Sequence, residues 1–503
     1  MATGGIFTLI ANEGKQDRMI MATELLNMRL KQIKKIRCKD PTIKDILPTL
    51  VDIERTHILF VNAHFKPFVA IGYEYQAIDA QAGTALLGHT VDFSIPQFGD
   101  FFHDMVIHAV LTGLEPVSPL DQSVYCDFLG HRLISDAQFL VNENILDEIN
   151  SDVYNFHYNF FVPDWKKPSW LRGVGQEVPK PAVLTQNPGI DQVRERRLIL
   201  DGPQTPKSKP PIGAPANSVE LWVPLLFWFN VDPRLSIPSV SIPFGQRFIR
   251  ISLASAADIC TGVDYGGGGA IIPPTLTTFQ LYINNIFVNP EIHDIFIKRV
   301  GFYLIRVHRL ESKQVISNSD SILLDQLKWP IETLYFGIRP NINNGTMTDW
   351  YKFYLPVDVN YTVPVRVPNT VPPFVPPDQL AFADAVYQQQ IPTLTTISWL
   401  THGVELYKIT PAQFFNVYVP YNYGGTNIMS PADDLGMYMT TFNLYPGGYQ
   451  PSGHINLSTT REFYLRYTSD IISLAITGTL VVVGIAINFL LISSGTAVLR
   501  YNT

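Results

Sequence analysis

The chain has 503 residues, 46% hydrophobic and 12% aromatic, with only 16% charged side chains and a formal net charge of −7. Globular proteins carry about 25% charged residues, so this chain is short of charge for its length, yet it is too hydrophobic to be disordered. Its 38 scattered prolines exclude a long-helix or coiled-coil protein, and the acidic balance excludes a generic nucleic-acid binder.

The first 48 residues hold the clearest helical pattern. The opening MATGGIFTLIANEGK has no basic stretch and only a short apolar one, which predicts no secretory signal. Ala2 rules out N-myristoylation. Thr23 can cap a helix running through Leu25, Leu26, Met28, Leu30, Ile33 and Ile36. Its polar side carries Arg29, Lys31, Lys34, Lys35 and Arg37. A basic amphipathic helix fits an anionic membrane surface or an acidic partner; the plainer alternative is a solvated face.

From Glu54 onward the pattern turns to β. Val91, Phe93 and Ile95 alternate with polar residues, as do Ile249, Ile251 and Leu253, and Phe463, Leu465 and Tyr467. Such period-2 runs, separated by Gly/Pro turns, predict half-buried strands of sandwiches or barrels. One short helix is expected around 152–161. Residues 202–215 hold five prolines and 364–377 hold six. Both segments are expected as extended loops of polyproline character, because proline removes ladder donors. Gly266–Gly269 marks a third break in regular structure. No charged residue occurs between Ile471 and Leu499. That run is long enough to span a bilayer. Its β-branched texture and the interruptions at Gly478, Gly484 and Asn488 instead predict two or three buried strands.

The residues offer little chemistry. Cys38, Cys126 and Cys260 are too far apart for a disulfide framework or a zinc module, and are expected as free thiols. Nucleotide-loop, zinc-protease and nucleophile-elbow motifs are missing. His103, Asp104 and His108 fit polar strand positions better than a metal site, with 104 and 108 on one face and 103 on the other. Glu291, His293 and Asp294 read as a turn with a short helical start. No catalytic residue, cofactor or metal is therefore expected. Aromatic, charge-poor β structure without a site fits a protein whose product is surface, since buried interfaces are depleted in charge and rich in Tyr, Trp, Phe and Met. A β-sandwich ligand-binding protein of lectin-like kind is the alternative.

Longer blocks narrow the choice. FVNAHFKPFVAIGYEY (60–75), IPQFGDFFHDMV (95–106), LDGPQTPK (200–207), FWFN (227–230) and IPSVSIPFGQRFI (237–249) come first. The 281–309 block, LKWPIE (327–332), YQPSGHINLS (449–458), REFYLRY (461–467) and AINFLLISSGTAVLRY (486–501) follow. Together and in this order they resemble the double jelly-roll major capsid proteins of nucleocytoplasmic large DNA viruses, nearest to the African swine fever virus (asfarvirus) branch.

That resemblance implies an all-β fold of two tandem eight-stranded antiparallel jelly rolls. Residues 1–48 would form a short helical base segment, 49–297 the first roll and 298–503 the second. It implies homotrimers that act as pseudo-hexameric capsomers tiling an icosahedral shell, in a virion assembled in the host cytoplasm. The implied partners are other copies of the chain, minor capsid and penton proteins, and the inner viral membrane through the N-terminal segment, with no direct nucleic-acid contact. Arg29, Lys31, Lys34, Lys35 and Arg37 would then face the virion interior. Residues 111–199 look shorter than in that branch, so an outer crown built there is the least transferable feature.

Overall fold

A computed structural model describes residues 71–81, 85–117, 122–176, 218–242, 247–263, 268–288, 301–365, 381–458, 462–493 and 496–501, together with residues 27, 29, 31 and 34. Eight strands carry the first half. They are β1 (Ile71–Asp79), β2 (Thr90–Ser94), β3 (Phe101–Leu111), β4 (Ile134–Val141), β5 (Asn144–Asn150), β6 (Val219–Pro224), β7 (Arg247–Leu253) and β8 (Leu276–Val288). The second half repeats the set with β9 (Gly301–Val315), β10 (Ser319–Leu323), β11 (Pro330–Pro340), β12 (Thr396–Thr401), β13 (Val404–Pro411), β14 (Tyr438–Thr441), β15 (Phe463–Thr468) and β16 (Gly478–Ser493).

The pairing order is β1-β8-β3-β6 facing β2-β7-β4-β5 in the first half, and β9-β16-β11-β14 facing β10-β15-β12-β13 in the second. Every pair is antiparallel. The chain alternates between two sheets of a sandwich in the same way twice, which is a double jelly roll. Short strands extend the edges: Ile237–Pro238 on β3, Ile455–Asn456 on β11 and Thr496–Leu499 on β16. A long hairpin, Tyr354–Val365 with Ala381–Pro392, rises from the second roll. Among the described residues no strand pair joins 71–288 to 301–499. The expected boundary at 297/298 lies outside the described residues, as does most of 1–48.

The alternating residues fill the cores as expected. In the first roll Phe93, Ile249 and Phe139 lie side by side across three strands and are fully buried. The corresponding row of the second roll is Ile322, Leu465 and Trp399. Trp399 stacks on Phe463 at 5.2 Å and donates its indole N–H to Thr440 Oγ1 at 2.9 Å. Burying a ring of that size with its polar atom satisfied is what makes tryptophan tolerable in a core. Arg247 is also fully buried, donating to the backbone oxygens of Ile95, Ser239 and Pro96 at 2.8–3.0 Å. Burial lowers its pKa to about 10.

The charge-free C-terminal run folds as β16 and Thr496–Leu499. β16 passes through Gly484 and Asn488 unbroken, where the sequence pattern expected interruptions. Asn488 is fully buried, donating to Tyr501 O and accepting from Phe489 N and Tyr501 N. Among the described residues no helix is long and apolar enough to cross a membrane. The expected short helix is α1 (Ser151–Phe160), capped by the Asn150 side chain accepting from Val153 N. Pro364, expected in a loop, is paired within the long hairpin. There the strand ladder overrides proline's preference, since an edge position needs no donor. Residues 366–377, and all of 202–215, lie outside the described residues. Of the glycine cluster only Gly268 and Gly269 are described, both at positive φ.

Candidate assembly surfaces

The two rolls are fastened by residues from the middle of β5 and from the helix after it. α1 lies on the outer face of the sheet β9-β16-β11-β14. The Tyr335 ring, on β11, sits 4.9 Å from Phe160 and 5.4 Å from Phe161. Asp152 of α1 pairs with Arg339 of β11. Asp147 of β5 accepts from the His308 backbone N–H at 2.8 Å, and its carboxylate is 3.3 Å from the His308 ring nitrogen. Trp350 donates to Asp127 O at 2.7 Å, and Lys167 of α2 (Lys167–Gly173) pairs with Asp433 at 2.8 Å. As a result β11 is buried on both faces, all but one of its residues being buried. A cleft of about 1080 Å³ remains beside this joint, walled by Trp165, Trp228, Tyr335, Val483 and Ile485.

Among the described residues, none covers the matching face of the first roll in this way. Along β1, Ile71, Tyr73 and Tyr75 are exposed, Tyr73 by 53%. The neighbouring rows add Tyr282, with His108 stacked on Trp222 at 4.1 Å. Asp104 accepts from the Tyr75 hydroxyl at 2.6 Å and from Asn284 at 2.7 Å. Partial burial and this carboxylate push the Tyr75 pKa up to about 12. Solvated sheet faces are normally polar, so a face of Tyr, Trp, Ile and Val is a candidate contact surface.

A second exposed apolar surface lies at the far edge of the second roll. Val404, Leu406 and Ile409 are exposed on β13. The chain then turns through a π-helical stretch, Phe414–Tyr418, into α3 (Val419–Tyr423). Val417, Tyr418 and Tyr421 point outward there, Tyr421 at 82% exposure. Residues 411–432 contain no charge at all.

Of the five basic residues singled out in the N-terminal segment, Arg29, Lys31 and Lys34 are helical and exposed, and Lys35 and Arg37 lie outside the described residues. Asp104 and His108 share the outer face of β3 as expected. His108 Nε2 is 2.9 Å from Glu220, while His103 Nδ1 meets Phe229 O on the other side. Among the described residues no group of three or more His, Cys, Asp or Glu side chains is placed to hold a metal. Glu291, His293 and Asp294 lie outside them, as does Cys38. Cys126 and Cys260 are buried free thiols, and burial pushes the Cys260 pKa up to about 11.

The sequence pattern missed the fastening residues altogether. Asp147, His308 and Arg339 sit in three different strands and Asp152 in α1, with no shared spacing, and only the docked rolls bring them together. It also missed Asp434, whose carboxylate accepts from Phe353 N and Gly436 N at 2.8 Å each. Burial raises its pKa to about 7 despite those bonds. His131 is the opposite case, pushed down to about 3 by burial between Asn155 and Trp170.

Comparison with known proteins agrees with this architecture. Residues 73–289 match the model for the major capsid protein N-terminus, and residues 287–498 match the model for the large eukaryotic DNA virus major capsid protein. The chain is 34% identical to the major capsid protein of African swine fever virus isolate Pig/Kenya/KEN-50/1950, with both chains covered in full. The alignment runs over 657 positions against 503 residues here, so the relative carries insertions. The chain is 25% identical to the Paramecium bursaria Chlorella virus 1 major capsid protein, covering 85% of this chain and 86% of that one. Among solved structures, the Faustovirus major capsid protein matches with a TM-score of 0.69 at 34% identity, covering 96% of this chain and all of the other.

Proposed function

The chain belongs to the family of major capsid proteins of large eukaryotic DNA viruses, and from that premise we propose that it is a non-catalytic shell subunit acting as a homotrimer. Two rolls per chain would make each trimer a pseudo-hexameric capsomer, and capsomers would tile an icosahedral shell. The observation that carries this reading is the uneven treatment of the two outer sheet faces. One is sealed within the chain, and the other shows Ile71, Tyr73 and Tyr75 beside Asp104 and is covered by none of the described residues. An apolar face of that kind is stable in water when a partner covers it. Closed rotational symmetry lets copies of one chain cover it without leaving a free end.

The finer features belong to the same reading. The chain divides near 297/298 into two rolls, with 1–48 as a base segment. Arg29, Lys31, Lys34, Lys35 and Arg37 face the virion interior, toward minor capsid and penton proteins or the inner membrane. The protein makes no direct contact with nucleic acid, and assembly takes place in the host cytoplasm. Light scattering on the purified chain, coupled to size exclusion, tests the central point. A mass of three chains is the expected result; a stable monomer at micromolar concentration overturns it. For the basic segment, co-flotation with phosphatidylserine vesicles should fall when Arg29, Lys31 and Lys34 are changed to Glu. Each cation near an anionic surface contributes about 1 kcal/mol, so unchanged flotation removes the membrane role.

A further inference from the structure

The cleft beside the joint between the rolls has a volume of about 1080 Å³. That is just above the range of about 300–1,000 Å³ for small-molecule sites, which favour domain interfaces and mostly apolar walls. Both rolls build it. Trp222 and Trp228 belong to the first roll, Trp165 to the turn between α1 and α2, and Tyr335, Val483 and Ile485 to the outer sheet face of the second. Tyr335 pairs with Val483, and Thr333 with Ile485. Phe160 and Phe161 cover Tyr335, whereas Ile485 stays half-buried. The joint therefore leaves an apolar trough on the sheet that it covers.

The charges along the trough are unevenly matched. Arg234 lies 3.8 Å over the Tyr449 ring and pairs with Asp232 at 2.6 Å. Arg306 pairs with Glu332 and donates to Tyr449 O at 3.2 Å. His308 is held by Asp147, and burial keeps His157 neutral. Both carboxylates that line the cleft are thus already bound to a cation. Lys166, exposed beside Trp165 at the opening, has no such match. The carboxylates of Asp164 and Asp433 are taken by Lys167, at 3.1 and 2.8 Å. Among the described residues no carboxylate pairs with Lys166.

An apolar trough with one unmatched cation at its opening suits an amphiphile carrying one negative charge. We propose that the cleft is a binding site for a long-chain carboxylate, its hydrocarbon chain lying against Tyr335, Val483 and Ile485 and its carboxylate at Lys166. A chain of methylenes needs no hydrogen bonds from walls whose Arg306 and Glu332 are spent on each other. A sugar needs many, and the trough floor does not offer them. The bound chain touches both rolls, so it stabilises their joint by mass action, binding the folded protein in preference to the unfolded one. The site does not depend on the trimer reading, because every residue in it belongs to one chain.

The test uses the purified full chain and cis-parinaric acid, a fluorescent long-chain carboxylate that accepts energy from tryptophan. Saturable binding is expected, with probe emission sensitised by Trp165 and Trp228. Palmitate should displace the probe about 100-fold better than octanoate, because each methylene removed from water adds to affinity. Equal displacement by the two acids overturns the hydrocarbon assignment. Ile485→Trp fills the trough and should abolish binding with circular dichroism unchanged. Lys166→Glu, at an exposed position, covers the case in which that variant misfolds, and should weaken binding about 5-fold. No saturable binding overturns the proposal, as does binding that survives both variants at full strength. Loss of binding in Tyr73→Asp places the probe on the outer face of the first roll and overturns it as well.

Discussion

The two rolls follow the same path of strands and differ in what covers the outer face of their first sheet. In the second roll that face lies under α1, with Tyr335 against Phe160 and Phe161. In the first roll the equivalent face shows Ile71, Tyr73 and Tyr75 to solvent. Duplicated folds need not have duplicated surroundings. A sheet buried on both faces becomes part of the core, whereas one buried on a single face remains available to a partner.

This comparison fails if the covered face contributes nothing to folding, so the largest expected effect is there. Tyr335→Ala should cost roughly 3–5 kcal/mol, the range for deleting a buried aromatic ring, read as a lowered urea midpoint at low protein concentration. Asp152→Ala should cost less. A fully buried pair broken on one side loses about 3–5 kcal/mol. Here Arg339 and Asp152 retain 13% and 11% of their side-chain exposure, which places the loss at roughly 2–4 kcal/mol by the same reasoning. An Asp152→Ala chain as stable as the original would mean that the rolls do not depend on this latch.

The third effect depends on pH. Asp434, in the second roll, has its pKa raised to about 7 by burial, so the folded chain binds a proton more tightly than the unfolded one. Its contribution to stability is present at low pH and is lost as pH rises from about 4 through 7. His131, in the first roll, is pushed down to about 3. Its contribution is lost as pH falls from about 6.5 toward 3, when the unfolded chain takes up the proton first. The two oppose each other below about 6.5. Lowering the pH from about 8 to 6.5 should therefore raise the denaturation midpoint. Asp434→Asn should remove part of that rise, the rest belonging to Asp136, whose carboxyl burial and the neighbouring Glu148 also push up to about 7; a variant with the original slope would take Asp434 out of the account. The smallest effect belongs to the bare face. Tyr73→Ala should change the stability of the isolated chain by less than about 0.5 kcal/mol, as exposed substitutions usually do. A loss of several kcal/mol would show that this face is already covered within the chain.

Much of the fold was legible because one-sided burial leaves a period-2 trace. The Val91, Ile249 and Phe463 runs show it, and the short helix expected around 152–161 is α1. Where both faces are buried the trace disappears. β11 is apolar without alternation from Leu334 to Ile338, and the charge-free stretch around β16 resembles a membrane span by hydropathy alone. On its outer face Val481 and Val483 are buried and Ile485 is half-buried, so water-facing residues would have little place there. The fastening pairs left no trace at all, because Asp147 and His308 are 161 residues apart and neither is unusual among its neighbours.

The sequence by itself determined the alternating strands, the shortage of charge and the resemblance to viral capsid proteins, and only through that resemblance did it imply two rolls. Each of these depends on local periodicity, composition or ordered blocks of residues. Only the tertiary structure decided where the missing charge is accounted for. One apolar sheet face is consumed by the joint between the rolls, and none of the described residues covers its twin. The choice between them depends on which segment follows which edge strand in space, a long-range geometry that no local pattern encodes.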